Sequence, residues 1–255
     1  MNLLSGFADI SAIELALAAG VALFASVIGG VAGYGTGALM PLVLVPLIGA
    51  EPVVPIIAIS AIFSNLSRAT AYRSYAAPRH AGVVILASAV TTALGAYGYT
   101  RLTSAGAAIV IGAMLISSVP LRRFARRRKL RIGETGLGLC AVAYGVVVGG
   151  TSGSGVILLS LLMASGLEGA AVIATDAVIS LATGVIKISV FGLAGVLTAQ
   201  VIAFALLIGA VALPGAFFAR SFVERMPLHI HAAILDAAVI TGGIVMMSAG
   251  LRNLA

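Results

Sequence analysis

Two glycine-rich breaks inside apolar sequence constrain this chain more than any other feature. The first covers residues 29–39 and the second 149–157, and Gly37 in the first matches Gly155 in the second at an offset of 118 residues. Glycine at this density interrupts a helix and frees backbone N–H and C=O groups. In lipid, such groups persist only where protein or a watery cavity satisfies them. Paired interruptions in two halves of a membrane protein indicate the binding site of a transporter.

The composition is that of a membrane protein. Of the 255 residues, 61% are hydrophobic and 9% are charged, whereas soluble domains carry about 25% charged residues. The net charge is +7, but seven of the 15 lysines and arginines lie in one run at 122–131, between apolar segments. Such a run is typical of a cytoplasmic loop, and no nucleic-acid recognition motif accompanies it. We expect the lipid bilayer, and no nucleic acid, as a partner.

Ten apolar segments follow the same order in each half: a long one, the break, a short one and three more long ones. The second segment of each half has about 13 residues, whereas a full span needs roughly 20. It therefore suits a half-helix or one arm of a re-entrant hairpin, and the sequence predicts an all-α membrane protein. The segments are about 12–33, 36–48, 53–72, 81–99, 104–121, 134–150, 154–166, 169–191, 195–219 and 230–250.

The distribution of charge predicts how the halves are oriented. With the basic run in the cytoplasm, the loops 73–80 and 220–229 also lie inside, and both termini lie outside. An odd number of crossings, five per half, makes the second half start on the opposite side of the membrane from the first. The two repeats, 12–121 and 134–250, joined by the basic loop 122–133, are therefore predicted to be inverted relative to each other. The two breaks then enter from opposite faces and meet near the midplane. A weaker alternative counts each broken unit as one crossing and gives parallel halves.

The third segment of the second half carries a polar stripe. Its members are Asp176, Ser180, Thr183 and Lys187, at positions i, i+4, i+7 and i+11, which share one helical face. Polar side chains within a span face the bundle interior or a cavity. For Lys187, contact with a ligand and snorkelling to the interface both stay open. Asp176 is the candidate for proton coupling, with a structural hydrogen-bonding role or a basic partner on another helix as alternatives.

The third segment of the first half repeats this spacing. Ser60, Ser64 and Ser67 match the stripe at an offset of 116 residues, and Asn65 and Arg68 lie on a neighbouring face. We include Ser64, Asn65 and Arg68 among the candidate binding residues. An anchor on the cytoplasmic side is the alternative for Arg68.

The glycine breaks supply donors for an anion. Freed N–H groups at the start of a half-helix lie at the positive end of its dipole and bind anions, and nearby hydroxyl groups add further donors. Close helix packing, as expected for Gly29 with Gly33, is the alternative for some of the glycines. The candidate binding residues in the breaks are Gly33, Tyr34, Gly35, Thr36, Gly37, Thr151, Ser152, Gly153, Ser154 and Gly155.

An enzymatic function has weak support. Residues 150–153 match the G-x-S-G motif of rhomboid intramembrane serine proteases, but the nucleophile needs a histidine within hydrogen-bond reach. His80, His229 and His231 are all expected at cytoplasmic helix ends, on the other side from the motif. The lone Cys140 has no companion for a metal site, and no ATP-binding motif is present. We expect no catalytic residue, no metal and no cofactor.

The chain resembles the TauE/SafE family in three features. These are the glycine breaks with their short arms (33–42 and 149–159), the turns that follow the arms (49–52 and 166–169), and the basic loop between the halves. This family, also called the sulfite exporter or TSUP family, consists of bacterial inner-membrane transporters, and the resemblance covers about 12–250. It implies a secondary transporter, and in particular an exporter, of sulfite, a sulfonate or a related organosulfur or organic anion. An anion channel and a non-transporting membrane subunit are the alternatives. The oligomeric state is open, with a homo-oligomer as one outcome.

Overall fold

A computed structural model of the protein describes residues 3–8, 10–32, 36–128, 131–214 and 228–253. This part of the chain is helical, without a β-strand, and its ten α-helices correspond one to one with the ten predicted segments. The all-α prediction is confirmed. The helices are α1 (Ala12–Ala32), α2 (Thr36–Ile48), α3 (Val53–Ala71), α4 (Pro78–Tyr99), α5 (Ser104–Arg128), α6 (Glu134–Gly150), α7 (Gly155–Ala164), α8 (Ala170–Leu193), α9 (Ala199–Ala212) and α10 (Leu228–Arg252).

The end of α5 differs from the prediction. The helix continues through the basic run to Arg128, so the expectation of a loop throughout 122–131 is wrong for residues 122–128. The physical reason is that polarity ends a membrane span but does not end a helix, and arginine is a good helix former.

The start of α9 also differs. The helix begins at Ala199 and not at 195, because the Thr198 hydroxyl caps it by accepting a hydrogen bond of 3.3 Å from the N–H of Val201. The predicted end of this segment, 215–219, lies outside the described residues.

The two short helices end in the same way. Gly49 follows α2 with φ +80°, and Gly166 follows α7 with φ +95°. A left-handed glycine after the last turn is a common helix stop. With 13 and 10 residues, α2 and α7 are roughly 20 and 15 Å long at a 1.5 Å rise. Neither helix reaches across a hydrocarbon core of about 30 Å.

Helices of the two halves pack in matched pairs. α4 packs along α6 and also contacts α8, and the equivalent helix α9 contacts both α1 and α3, the latter more extensively. Equivalent helices pair with each other, α3 with α8 and α5 with α10. Exchanging the two halves turns the α4–α6 pair into α9–α1 and the α4–α8 pair into α9–α3. The pairs α3–α8 and α5–α10 are each converted into themselves. The inversion of the halves relative to the membrane stays a prediction, as do the limits of the two repeats.

Glycines bring α4 and α6 into close contact. A Cβ atom added to Gly95 would collide with the carbonyl oxygen of Val146, and one added to Gly149 would collide with the carbonyl oxygen of Thr92. Small residues allow helix backbones to approach in this way. Gly149, at the start of the second break, therefore packs and does not open the backbone.

Four described helical stretches are long and apolar enough to cross a membrane. Large apolar side chains on their outer faces are exposed, such as Leu86 at 80% and Leu193 at 91%. Apolar exposure of this kind suits a lipid solvent. The protein is therefore a multi-pass membrane protein. The four stretches are Val53–Ala71, Pro78–Tyr99, Ser104–Leu121 and Ala170–Leu193.

Candidate functional site

The N-terminal ends of the two short helices are in contact. α2 begins at Thr36 and α7 at Gly155, and a Cβ atom added to Gly37 would lie only 3.0 Å from the backbone nitrogen of Gly153. Gly153 itself has φ +80°, a conformation that favours glycine. Both positions therefore need glycine, one for the close approach of two backbones and the other for its own turn.

A cavity of about 130 Å³ lies beside this contact. Pockets for drug-sized ligands measure roughly 300–1,000 Å³, so this cavity suits a small solute or a few waters. Glycines and four apolar residues, Ile57, Ala58, Ala61 and Val148, complete a lining that is otherwise polar. The polar side chains are those of Ser26, Thr36, Ser64, Asn65, Arg68, Tyr144, Thr151, Ser152, Ser154, Ser180, Thr183 and Lys187.

The structure brings the sequence-predicted residues together. Every predicted binding residue that the structure describes lines this one cavity, including Gly37, Gly153 and Gly155. The remaining three, Gly33, Tyr34 and Gly35, lie outside the described residues.

The serine stripe of α3 is only partly on the cavity side. Ser64 lines the cavity, whereas Ser60 and Ser67 do not. The Ser60 hydroxyl donates instead to the carbonyl oxygen of Ile57, at 3.2 Å. The face of α3 that borders the cavity is rotated toward Asn65 and Arg68.

Arg68 and Asp176 form an ion pair between α3 and α8. The Nη1 atom of Arg68 donates to Oδ2 of Asp176 at 3.0 Å, and the two side chains are 9% and 1% exposed. Arg68 also donates through Nη2 to Oδ1 of Asn65. The interpretation of Arg68 as a cytoplasmic anchor is therefore wrong, because its guanidinium is buried against the cavity. Asp176 has the basic partner on another helix that was one of its alternatives.

Lys187 places its ammonium group inside the protein. The side chain is 6% exposed, and Nζ donates to the carbonyl oxygen of Thr151 at 3.1 Å. The snorkelling interpretation is wrong, because the loop that follows α6 offers this carbonyl close to the amine. In the described part of the chain, no ion pair joins Lys187 to a carboxylate.

Hydrogen-bond donors surround the start of α7. Ser154 occupies the position before the helix, yet its side chain makes no capping hydrogen bond; it interacts instead with the phenol of Tyr144. The N–H of Ile157 donates to the carbonyl oxygen of Ser154 at 2.9 Å, whereas the first N–H groups of a helix, here those of Gly155 and Val156, have no intrahelical partner. Gly155 borders the cavity, so its N–H is a candidate donor to an anion. The Ser152 hydroxyl is buried without a hydrogen-bond partner among the described residues. An unsatisfied buried hydroxyl is costly, and an anion or water in the cavity would satisfy it.

Sequence reasoning missed part of the lining. Tyr144 and Val148 lie on one face of α6, and Thr151 comes directly after the helix; all three line the cavity. Their spacing in the sequence, i, i+4 and i+7, would have identified Tyr144 once Thr151 was chosen. Ser26 of α1 also lines the cavity, and its hydroxyl donates to the carbonyl oxygen of Ala212 in α9. A lone serine in an apolar helix gives no signal for this position.

The protease alternative gains no support from the site. No histidine is among the described residues that line the cavity with Ser152. The side chains of His229 and His231 lie outside the described residues, and His80 lies in the first turn of α4. Within the described part of the chain, no cluster of His, Cys, Asp or Glu has the make-up of a metal site.

The helical membrane fold and its small, donor-lined cavity define a class, that of polytopic membrane transporters. Residues 18–246 match the family described as sulfite exporter TauE/SafE. The chain belongs to this family, and the resemblance seen in the sequence is confirmed. No curated protein and no solved structure matches the chain.

Proposed function

We propose that the protein is a secondary transporter that exports a small oxyanion, namely sulfite, a sulfonate or a related organosulfur or organic anion. The observation that carries the proposal is the convergence of two helix N-termini and the Lys187 ammonium group on one cavity. Each N-terminus carries a partial positive charge of about half an elementary charge. Three sources of positive potential in a site of this size suit an anion.

The chemistry of the lining supports an oxyanion in particular. Backbone N–H groups and hydroxyls donate hydrogen bonds in several directions, and Ser152 has a hydroxyl available. An anion with several oxygen atoms accepts hydrogen bonds from donors in several directions at once, whereas a halide ion offers no directional acceptors. We place Thr36, Gly37, Ser152, Gly155 and Lys187 in direct contact with the anion. The other lining residues shape the cavity.

The arrangement of the short helices supports alternating access. The N-terminal ends of α2 and α7 meet beside Gly37 and Gly153, so a displacement of either helix would open the cavity toward one side only. With inverted halves, the two openings lie on opposite faces. We place both termini outside and the basic loop in the cytoplasm of the bacterial inner membrane. A membrane potential that is negative inside then favours anion export.

The test is uptake of radiolabelled sulfite into proteoliposomes that contain only this protein, with unlabelled anions as competitors. A carrier gives saturable uptake, counterflow and competition by sulfonates, whereas a channel gives no counterflow. Lys187→Met keeps the length of the side chain without its charge, and we expect it to lose uptake. If no sulfur oxyanion enters the vesicles, the substrate assignment is wrong.

A further inference from the structure

The charges around the cavity do not cancel. Among the described residues, two cationic side chains line it, Arg68 and Lys187, and no acidic side chain does so. Asp176 lies behind the lining and forms its ion pair with Arg68 at 3.0 Å. The described residues therefore leave one net positive charge for the contents of the cavity.

That remaining charge belongs to Lys187. In the described part of the chain, its ammonium group donates to a neutral carbonyl, that of Thr151. Lys187 and Asp176 are 11 residues apart on α8, which corresponds to roughly 16 Å along the helix axis. At this distance Asp176 neutralises Arg68 much more than it neutralises Lys187. Tyr144, which faces Asp176 from α6, contributes a phenol without charge.

We propose that Asp176 determines the charge of the transported anion, by neutralising Arg68 so that the site accepts one negative charge and rejects two. This inference rests on the proposed anion site. The substrate class is then a singly charged oxyanion, such as a sulfonate or hydrogen sulfite, and not a doubly charged one such as sulfate. A second buried negative charge would have no counter-charge in the site, and an unpaired buried charge is strongly disfavoured.

Asp176 is a specificity-determining residue in this account, not a binding residue. It touches Arg68 and does not line the cavity. Its second carboxylate oxygen, Oδ1, is buried without a partner in the described part of the chain. The carboxylate is therefore held mainly by Arg68, and its removal changes the charge of the site without changing the donors that contact the anion.

The test compares methanesulfonate and sulfate, which keep charges of −1 and −2 throughout the neutral pH range. Isothermal titration calorimetry on the purified protein in detergent gives both dissociation constants, and their ratio is the quantity to follow. We expect wild-type protein to bind methanesulfonate on the order of tenfold more tightly than sulfate. Asp176→Asn adds one net positive charge and should shift the ratio toward sulfate by a similar factor. The methyl group of methanesulfonate is common to all variants, so the shift reports charge.

The control variant restores the charge count. Arg68→Gln combined with Asp176→Asn removes both members of the ion pair and leaves Lys187 as the net charge, so it should return the ratio to its wild-type value. It also leaves neither Arg68 nor Asp176 as a buried charge that has lost its ion-pair partner, which keeps the test available if Asp176→Asn alone folds poorly.

Four outcomes would contradict the account. Equal affinity of wild-type protein for the two anions, or an unchanged ratio in Asp176→Asn, overturns the charge rule but leaves the anion site standing. A double variant that prefers sulfate also overturns it. If wild-type protein binds neither anion, the proposed anion site itself is wrong, and the charge rule is overturned with it.

Discussion

Gly37 and Gly153 lie so close together that a Cβ atom on Gly37 would approach the backbone nitrogen of Gly153 to 3.0 Å. The contact joins the N-terminal ends of α2 and α7, which are far apart in the sequence and equivalent in the two halves. No side chain intervenes, so the two backbones border the cavity directly. The wall of the cavity at this point is made of backbone dipoles.

Gly37→Ala should therefore reduce transport without unfolding the protein. The new methyl group forces the two tips apart by a few tenths of an ångström, and a small misplacement of a binding site is costly. We expect the uptake rate to fall on the order of tenfold or more. The matched control is Gly98→Ala in α4, where a Cβ atom meets nothing within 4 Å. Equal uptake rates in the two variants would show that the contact is not part of the site.

Gly149→Ala should lower stability and leave the site intact. Its methyl group would collide with the carbonyl oxygen of Thr92 across the α4–α6 contact, and overpacking of this kind costs about 1–3 kcal/mol. Thermal unfolding in detergent measures the loss. Gly138→Ala on the same helix is the control, because its Cβ atom would find Val83 at an ordinary distance of 3.7 Å. A melting temperature for Gly149→Ala as high as that of the control contradicts the packing role.

Ser152→Ala should weaken anion binding and leave stability nearly unchanged. The hydroxyl is buried without a partner among the described residues, so its removal costs the empty protein no hydrogen bond. If it donates to the anion, affinity falls by about 1.5–3 kcal/mol, the range for a hydrogen bond to a charged group. Ser88→Ala removes a second buried hydroxyl without a partner, which does not line the cavity. The idea fails if the two variants bind sulfite equally well in competition assays.

Asp176→Asn should remove the dependence of transport on pH. We propose Asp176 as the proton carrier because it is the carboxylate paired with a cavity-lining cation. In wild-type protein, protonation would release Arg68 from the ion pair and increase the positive charge that the anion meets. Initial rates of methanesulfonate uptake into proteoliposomes at a series of pH values give the profile, because this anion keeps a charge of −1 throughout the neutral range and adds no pH dependence of its own. A variant with the same profile as wild type excludes Asp176 from proton coupling, whatever its effect on the rate.

The sequence predicted most of this site because its signals are local. The helical spacing of Ser180, Thr183 and Lys187 places them on one face, and the structure keeps them there. The destination of the Lys187 ammonium group was not predictable, since it depends on the carbonyl of Thr151, which another helix brings near. Tyr144 was missed for a related reason, because an aromatic residue in an apolar span is ordinary packing until the neighbouring helix is known.

Lys187→Met should abolish binding of a monovalent oxyanion, and addition of Asp176→Asn should restore part of it. The single variant leaves Arg68 and Asp176 as a balanced pair, so the cavity has no net charge to offer. The double variant frees the charge of Arg68, which also lines the cavity, and returns the net charge to its wild-type value. We expect a loss on the order of a hundredfold in the single variant and a recovery of at least tenfold in the double variant. Calorimetric titration with methanesulfonate measures both. Recovery would show that a positive charge in the cavity supports binding even when Arg68 supplies it in place of Lys187. A double variant as weak as Lys187→Met would show that Lys187 acts through its own hydrogen bonds.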